Sequence, residues 1–155
     1  YFLQWVLIGD GCVQSNLQLW TAWNCASRRW VRSSALARSL DAEFLRYLCG
    51  THHVSEAFKR AGVRDGDDRG FLLYLPSASA SEELQMDCTP VFFDESNIEQ
   101  QALSMLDELG LKMNPNLFAL SEEGAKRLGL NIANSQERLT EDTLIGHIIS
   151  AEFTS

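Results

Sequence analysis

The sequence has few of the residues that build metal sites or disulfide frameworks. No two of its four cysteines form a Cys-x-x-Cys pair, and of its three histidines two are adjacent and the third is distant. Zinc sites use four nitrogen or sulfur ligands at short, regular spacings, so no metal is expected. The cysteines, Cys12, Cys25, Cys49 and Cys88, are interpreted as small buried side chains of a protein in the reducing cytoplasm.

Motifs of the common enzyme classes are also missing. The chain has no G-x-G-x-x-G, no phosphate-binding G-x-x-x-x-G-K-[ST], no G-x-S-x-G and no H-E-x-x-H. These absences argue against nucleotide and hydrolase sites, and no cofactor and no catalytic residue are expected. One enzymatic alternative stays open, in which Cys49 is a nucleophile and His52 its base, with Glu56 as the nearby carboxylate.

Long hydrophobic runs are absent as well. Apolar runs such as Phe71–Leu75 are far too short to span a bilayer. The N-terminal stretch from Tyr1 to Gly9 is apolar, but it has no basic flank and Asp10 interrupts it, so we do not interpret it as a signal peptide. No membrane partner is expected.

The charge that is present is unevenly distributed. The net charge is −8, yet residues 11–40 contain no acidic residue and four arginines. These are Arg28, Arg29, Arg32 and Arg38. An acidic protein with one basic segment is a poor general nucleic-acid binder, but the segment can contact a phosphate backbone locally. The alternative is that these arginines are a solvated helix end.

Hydrophobic periodicity predicts the elements of the first half. We expect a buried strand in residues 1–9, a helix from Asn16 to about Arg32, and a helix over Thr51–Ala61 capped by Thr51 or Ser55. Leu40–Gly50 is compatible with either a helix or a strand. The continuous apolar run Phe71–Leu75 predicts a strand that is buried on both faces.

The second half is predicted to be mainly helical. Ser77–Ser81 is expected to be a mobile loop and Val91–Phe93 a short strand. Helices are predicted over Ser96–Leu109, Ser121–Leu128 and Thr140–Phe153. The last helix carries an apolar stripe of Leu144, Ile145, Ile148, Ile149 and Phe153. The whole chain, 1–155, fits one compact domain.

The central part of the sequence resembles a known family. The matching elements are Ser39-Leu40, Glu43, Phe44-Leu45, Gly50-Thr51, the run Val54-Ser55-Glu56-Ala57-Phe58-Lys59-Arg60, and Gly62-Val63. This pattern is similar to that of the PRPK-binding protein (TPRKB-like) family, the small kinase-binding subunit of the KEOPS/EKC complex. The preceding helix resembles the archaeal branch of that family. The C-terminal segment resembles the family's last helix more loosely.

The resemblance implies an α/β (α+β) fold, a single domain in which a mixed β-sheet is flanked by several helices. It also implies a non-catalytic subunit that binds and stimulates the small kinase/ATPase subunit of KEOPS directly. Contact with the synthase subunit is indirect. The protein would help recruit tRNA, through the 3′ CCA end in archaeal members, for threonylcarbamoyladenosine modification. The remaining alternative is an interaction module unrelated to tRNA.

The resemblance and the charge pattern together indicate two binding sites, one for the kinase and one for tRNA. Kinase-binding residues are expected on the last helix: Ile145, Ile148, Ile149 and Phe153. On that helix Leu144 and Ala151 are expected to face the protein's own core, Ile145, Ile148 and Ile149 to be shared or outward, and Glu152 to be a rim charge. The tRNA-binding residues are expected to be Arg28, Arg29, Arg32, Arg38, His52, His53, Lys59 and Arg60. Archaeal members usually have Arg-Gln-Ile where this chain has His52-His53-Val54, which makes any RNA contact there dependent on pH.

Overall fold

The computed structural model describes residues 4–80, 88–114, 118–130 and 138–153, which form an α+β fold. Within those residues there are six helices and two small sheets. The elements in chain order are β1 (Trp5–Gly9), α1 (Asn16–Val31), α2 (Leu40–Leu48), α3 (Val54–Ala61), β2 (Gly70–Tyr74), β3 (Ala78–Ala80), β4 (Cys88–Pro90), α4 (Glu95–Glu108), α5 (Glu122–Arg127) and α6 (Glu141–Ser150). The predicted fold class is confirmed.

The sheets differ from the expected single mixed sheet. In the described residues each sheet is an antiparallel pair, β1 with β2 and β3 with β4. Trp5 lies opposite Tyr74, and Ile8 lies opposite Phe71. The side chains of β2 are only half-buried, because β1 is the one described strand beside it. The prediction that Phe71–Leu75 is buried on both faces is therefore wrong for Phe71 to Tyr74, and only Leu75 lies in the core.

The segment after β2 also differs from its prediction. Ala78–Ala80, expected to be loop, is strand β3, and Ser81 lies outside the described residues. The strand expected at Val91–Phe93 occurs instead at Cys88–Pro90, and Val91 only adds one backbone hydrogen bond to Ser77 O at 2.8 Å. Small side chains carry little strand signal of their own, so this short pairing depends on backbone hydrogen bonds that composition does not reveal.

Side-chain hydrogen bonds cap the N-terminal ends of α2 and α6, whereas neither cap predicted for α3, Thr51 or Ser55, is used. Ser39 accepts a hydrogen bond from Ala42 N and starts α2, which resolves the ambiguous segment as a helix. Thr140 and Thr143 form a reciprocal cap on α6. Helix α3 begins later than predicted, at Val54 with His53 as its N-cap, while Thr51 Oγ1 accepts from His53 N. Among the described residues, no helix has both the length and the apolar character needed to cross a bilayer.

Helix α2 is the centre of the core. All of its residues except Asp41 are buried, including Phe44, Leu45 and Tyr47, which are at most 1% exposed. Helices α1, α3 and α6 all pack against it. By contrast, no residue of α4, which the structure describes completely, is buried. The core therefore lies among α1, α2, α3 and β1, with α6 closing one side.

A fully buried ion pair lies within α2. Glu43 and Arg46 have no solvent-exposed side-chain surface, and Arg46 Nε donates to Glu43 Oε1 at 2.8 Å. The Glu43 carboxylate also accepts from the backbone N–H groups of Leu36 and Ala37, both at 3.3 Å. Arg46 Nη1 donates to Thr51 O at 3.2 Å. The pair therefore holds in place both the segment that precedes α2 and the turn that follows it.

A second short ion pair, with side chains 8–9% exposed, joins α5 to the rest of the fold. Arg127 donates to both carboxylate oxygens of Asp67, at 2.6 and 2.9 Å, and this interaction lowers the pKa of Asp67 to about 2. The same guanidinium donates to the carbonyls of Arg60 at 2.7 Å and Gly62 at 2.8 Å. Such short, bidentate contacts are the strong form of a charge-assisted hydrogen bond.

We expect Arg46→Met to destabilise the protein by about 3–5 kcal/mol, because it leaves the Glu43 carboxylate buried without its cation. Urea unfolding followed by tryptophan fluorescence measures this loss. The matched control is Arg69→Met, which breaks an exposed pair with Asp10 at 3.3 Å and should cost less than about 1 kcal/mol. Equal losses for the two variants would contradict the structural role assigned to the buried pair.

Candidate functional site

A groove opens where the C-terminal ends of α1 and α6 lie side by side. It encloses about 530 Å³ and is lined by Cys25, Arg28, Arg29, Arg32, Ser34, Ile149, Glu152 and Phe153. We call this the arginine groove. One wall is basic and comes from α1, and the other carries apolar side chains from α6 and the turn that follows it.

The local sequence of α1 explains the basic wall. The helix ends at Arg32, after which Ser33 adopts a left-handed conformation with φ 56°. Ser34 N then donates to Arg29 O at 2.9 Å and Ser33 N to Trp30 O at 3.2 Å, which is the Schellman arrangement. Arginines in this last turn also suit the negative end of the helix dipole.

The wall from α6 is held by buried side chains and by two histidines. Leu144, Ile148 and Ala151 are at most 1% exposed and pack into the core. His52 Nε2 lies 2.6 Å from Ala151 O, which fixes the C-terminal end of α6 to the turn before α3. His147 Nε2 lies 3.0 Å from Leu128 O.

Gly50 makes the close approach of α6 possible. It has φ +61°, and a Cβ atom there would lie 2.7 Å from the His147 ring and from the His147 carbonyl. A side chain at position 50 would therefore be strained by its backbone conformation and would push α6 away. The glycine positions the groove indirectly, through the packing of α6 on the end of α2.

Glu152 bridges the two walls of the groove. Its Oε2 accepts from Arg29 Nη2 at 3.3 Å and from Arg29 Nε at 3.4 Å, and its Oε1 lies 4.0 Å from Arg28 Nη2. The side chain is 24% exposed. Behind it, burial and then the Glu152 carboxylate raise the pKa of Tyr47 to about 12. Glu152 therefore connects the basic wall to the apolar wall, and its predicted place at the rim of a kinase interface stays a prediction.

The predicted apolar residues of α6 separate into two groups. Ile149 is 42% exposed and Phe153 is 84% exposed, and both line the arginine groove. Ile145 is half-buried. Ile148 is 1% exposed, so the expectation that it is shared or outward is wrong. It lies one turn after Leu144 on the face that packs into the core, where Leu144 and Ala151 are buried as predicted.

The predicted basic residues do not form one continuous wall of the groove. Arg28, Arg29 and Arg32 line it, whereas Arg38, His52, His53, Lys59 and Arg60 do not. Arg38, His53 and Lys59 are exposed. Arg60 donates to Glu56 at 2.9 Å and to Cys49 O at 3.4 Å, so it has a structural role beside α2.

The Cys49 alternative does not assemble a catalytic pair. Cys49 is fully buried, and burial raises the pKa of its thiol to about 12, which opposes formation of the nucleophilic thiolate. Its Sγ lies 3.6 Å from Ala57 O, while the His52 ring is engaged by Ala151 O. The nearby Glu56 carboxylate pairs with Arg60. Each proposed member therefore contacts a different group.

Two residues of the groove, Cys25 and Ser34, were not found from the sequence. Glu152 was expected beside the apolar residues of α6, but its contact with the arginines arises only because α1 and α6, which are far apart in the chain, end at the same place. The one available signal was the coincidence of a basic helix end with an apolar helix end. Neither pattern alone indicates that the two ends meet.

Comparison with protein families identifies the fold's relatives. The model of the family described as kinase binding protein CGI-121 matches residues 3–148. The chain belongs to this family. Comparison with curated proteins gives no significant match. Membership in the CGI-121 family supports a kinase-binding role and agrees with the resemblance found in the central block of the sequence.

His147 should make the folding stability of the protein dependent on pH. Burial lowers the pKa of His147 below its ordinary value of 6.5, so the unfolded chain takes up a proton that the folded chain does not. Folding stability should therefore fall as the pH drops through 6.5, by up to about 1.4 kcal/mol per pH unit for this one proton. Chemical unfolding at pH 7.5 and 5.5 measures the change.

The matched variant is His147→Gln, which keeps a side-chain N–H donor but does not titrate. It should lose less stability than the parent between the two pH values. If the two proteins lose the same amount, His147 does not carry the pH dependence.

Proposed function

We propose that this protein is a non-catalytic KEOPS subunit of the archaeal branch that binds and stimulates the small kinase/ATPase subunit. In the same proposal it helps recruit tRNA, through the 3′ CCA end, for threonylcarbamoyladenosine modification in the cytoplasm. The synthase subunit would be reached indirectly, through the kinase. Family membership supports the kinase partner. The resemblance in the central part of the sequence is the basis for proposing the KEOPS complex and tRNA.

The observation that carries the proposal is the composition of the arginine groove. Two predicted kinase-contact residues, Ile149 and Phe153, line it together with three predicted RNA-contact residues, Arg28, Arg29 and Arg32. The groove thus combines an exposed apolar wall with a basic wall. An adaptor that holds a protein and an RNA beside each other needs both kinds of surface.

The apolar wall suits a protein partner. Phe153 and Ile149 project from the end of α6, whose opposite face is anchored in the core by Leu144 and Ile148. Exposed aromatic and aliphatic side chains on a rigid support are the usual anchors of a protein interface. Ile145 is half-buried beside them and fits the edge of the same contact.

The basic wall suits a phosphate backbone. Guanidinium groups bind phosphate through several N–H donors. Arg28 and Arg29 lie in the last turn of α1 and Arg32 is its C-cap, so all three lie at one helix end. Arg38, His53 and Lys59 are exposed and are candidates for outer RNA contacts. His52 and Arg60 are held by contacts within the fold, so any role they have in RNA binding is indirect.

We expect Ile149→Glu to weaken binding to the kinase subunit by at least about 2 kcal/mol, because a charge at the centre of an apolar interface is desolvated without a partner. Its melting temperature should stay close to that of the parent, since Ile149 is 42% exposed. Calorimetric titration with the kinase subunit and thermal melts measure the two effects.

The matched control is the adjacent residue. Ile148→Glu introduces the same charge at a position that is 1% exposed, and this variant should unfold or melt far below the parent. Normal kinase binding by Ile149→Glu would exclude the end of α6 as the interface.

Replacing Arg28, Arg29 and Arg32 together by glutamine should weaken tRNA binding. The salt dependence should become shallower by roughly one unit per lost phosphate contact. Fluorescence anisotropy over a series of salt concentrations measures both quantities, and tRNA lacking its CCA end tests that part of the proposal separately.

A second triple variant, Lys112, Lys126 and Arg138 to glutamine, removes the same charge from exposed positions outside the groove. It should retain most of the parent's affinity. If both triple variants bind alike, general charge rather than the groove explains RNA binding.

A further inference from the structure

The contact between Glu152 and the arginines is loose in comparison with the structural ion pairs of the same molecule. Asp67 and Arg127 meet at 2.6 and 2.9 Å, and Glu43 and Arg46 meet at 2.8 and 3.1 Å. Glu152 is no closer than 3.3 Å to Arg29 and is 4.0 Å from Arg28. Charge-assisted hydrogen bonds are strongest near 2.8 Å, so this carboxylate lies between the two guanidinium groups but is held there only weakly.

The position of Glu152 is also unfavourable for its own helix. It follows directly after Ala151, the C-terminal cap of α6, where the helix dipole repels a negative charge. The acidic residues at the other end, Glu141 and Asp142, lie where the dipole favours them. The arginines offset this repulsion, but α6 itself gains nothing from a carboxylate at position 152.

The arginine groove has unused capacity for an anion. The Nε of Arg28 is buried and has no hydrogen-bond partner among the described residues. Within the part of the chain that the structure describes, Arg28 Nη2 reaches the weak acceptor Cys25 Sγ at 3.7 Å and, at 4.0 Å, Glu152. Three arginines and one glutamate line the groove.

We propose that Glu152 is an internal competitor for the RNA phosphate: its carboxylate occupies the phosphate position between Arg28 and Arg29 and must be displaced when RNA binds. This inference rests on the proposed function, since it assumes that the groove arginines contact RNA. A phosphodiester carries its anionic oxygens on a tetrahedral centre and can approach both guanidinium groups from the groove. The carboxylate therefore lowers the affinity of the groove for RNA and hinders the binding of weaker anions.

The test is Glu152→Gln, which preserves shape and removes the competing charge. We expect its affinity for tRNA to rise on the order of fivefold at low salt, the effect of removing one partly exposed ion pair, and the gain to shrink as salt screens the groove. Glu108→Gln changes the net charge equally at an exposed helix end outside the groove. This control should leave the affinity nearly unchanged.

A double-mutant cycle separates this inference from the proposed function. In a protein that also carries Arg28→Gln and Arg29→Gln, replacing Glu152 should not raise the affinity for tRNA, because the guanidinium groups for which carboxylate and phosphate compete are gone. If the arginine variants weaken RNA binding but Glu152→Gln does not strengthen it, the competition is wrong and the RNA site stands. If the arginine variants bind RNA normally, both are wrong. An equal gain from Glu108→Gln would also overturn the competition, since it would reduce the effect to net charge.

Discussion

The buried pair of Glu43 and Arg46 is the interaction on which the arrangement of this fold depends. Two charges inside a core are costly unless every remaining donor and acceptor is satisfied. Here the carboxylate accepts hydrogen bonds from the backbone N–H groups of residues 36 and 37, and the guanidinium donates one to the carbonyl of Thr51. The pair therefore ties the segment arriving from α1 and the turn leading to α3 to one central helix. Both walls of the arginine groove are positioned from these two segments.

Two kinds of charge pair matter for this fold and its groove. The Glu43–Arg46 and Asp67–Arg127 pairs are short and have little exposed surface, with backbone carbonyls or amides completing their coordination, as at Arg127. The pair in the arginine groove is long, partly exposed and incompletely coordinated. A protein that uses arginines for structure saturates them, whereas arginines kept for a partner must retain donors. The unfilled coordination of Arg28 is thus a better indication of binding than its charge.

How much the sequence predicts depends on the range of the interaction. Helix α6 was predicted because Thr140 and the apolar stripe are local signals, and α1 because its hydrophobic periodicity and its basic last turns are local too. The burial of Ile148 was not predicted, because the apolar stripe of α6 is wider than the face of the helix that packs on the core. Only tertiary contacts decide which edge of the stripe is buried. The groove was not predictable, since Arg29 and Glu152 are far apart in the chain. Strand β3 was missed because Ala-Ser-Ala has no pattern of its own.

The shared lining of the groove has a thermodynamic consequence. Phe153 follows Glu152 directly in sequence, Ile149 lies three residues before it, and all three line the groove. A protein bound on the apolar wall and an RNA bound on the basic wall would then act on the same carboxylate. Linkage requires that any change one partner makes in the affinity for the other is returned in equal measure. A kinase that turned Glu152 away from the arginines would be held more tightly once RNA had arrived, so that assembly of the complex and loading of its substrate would become a single equilibrium.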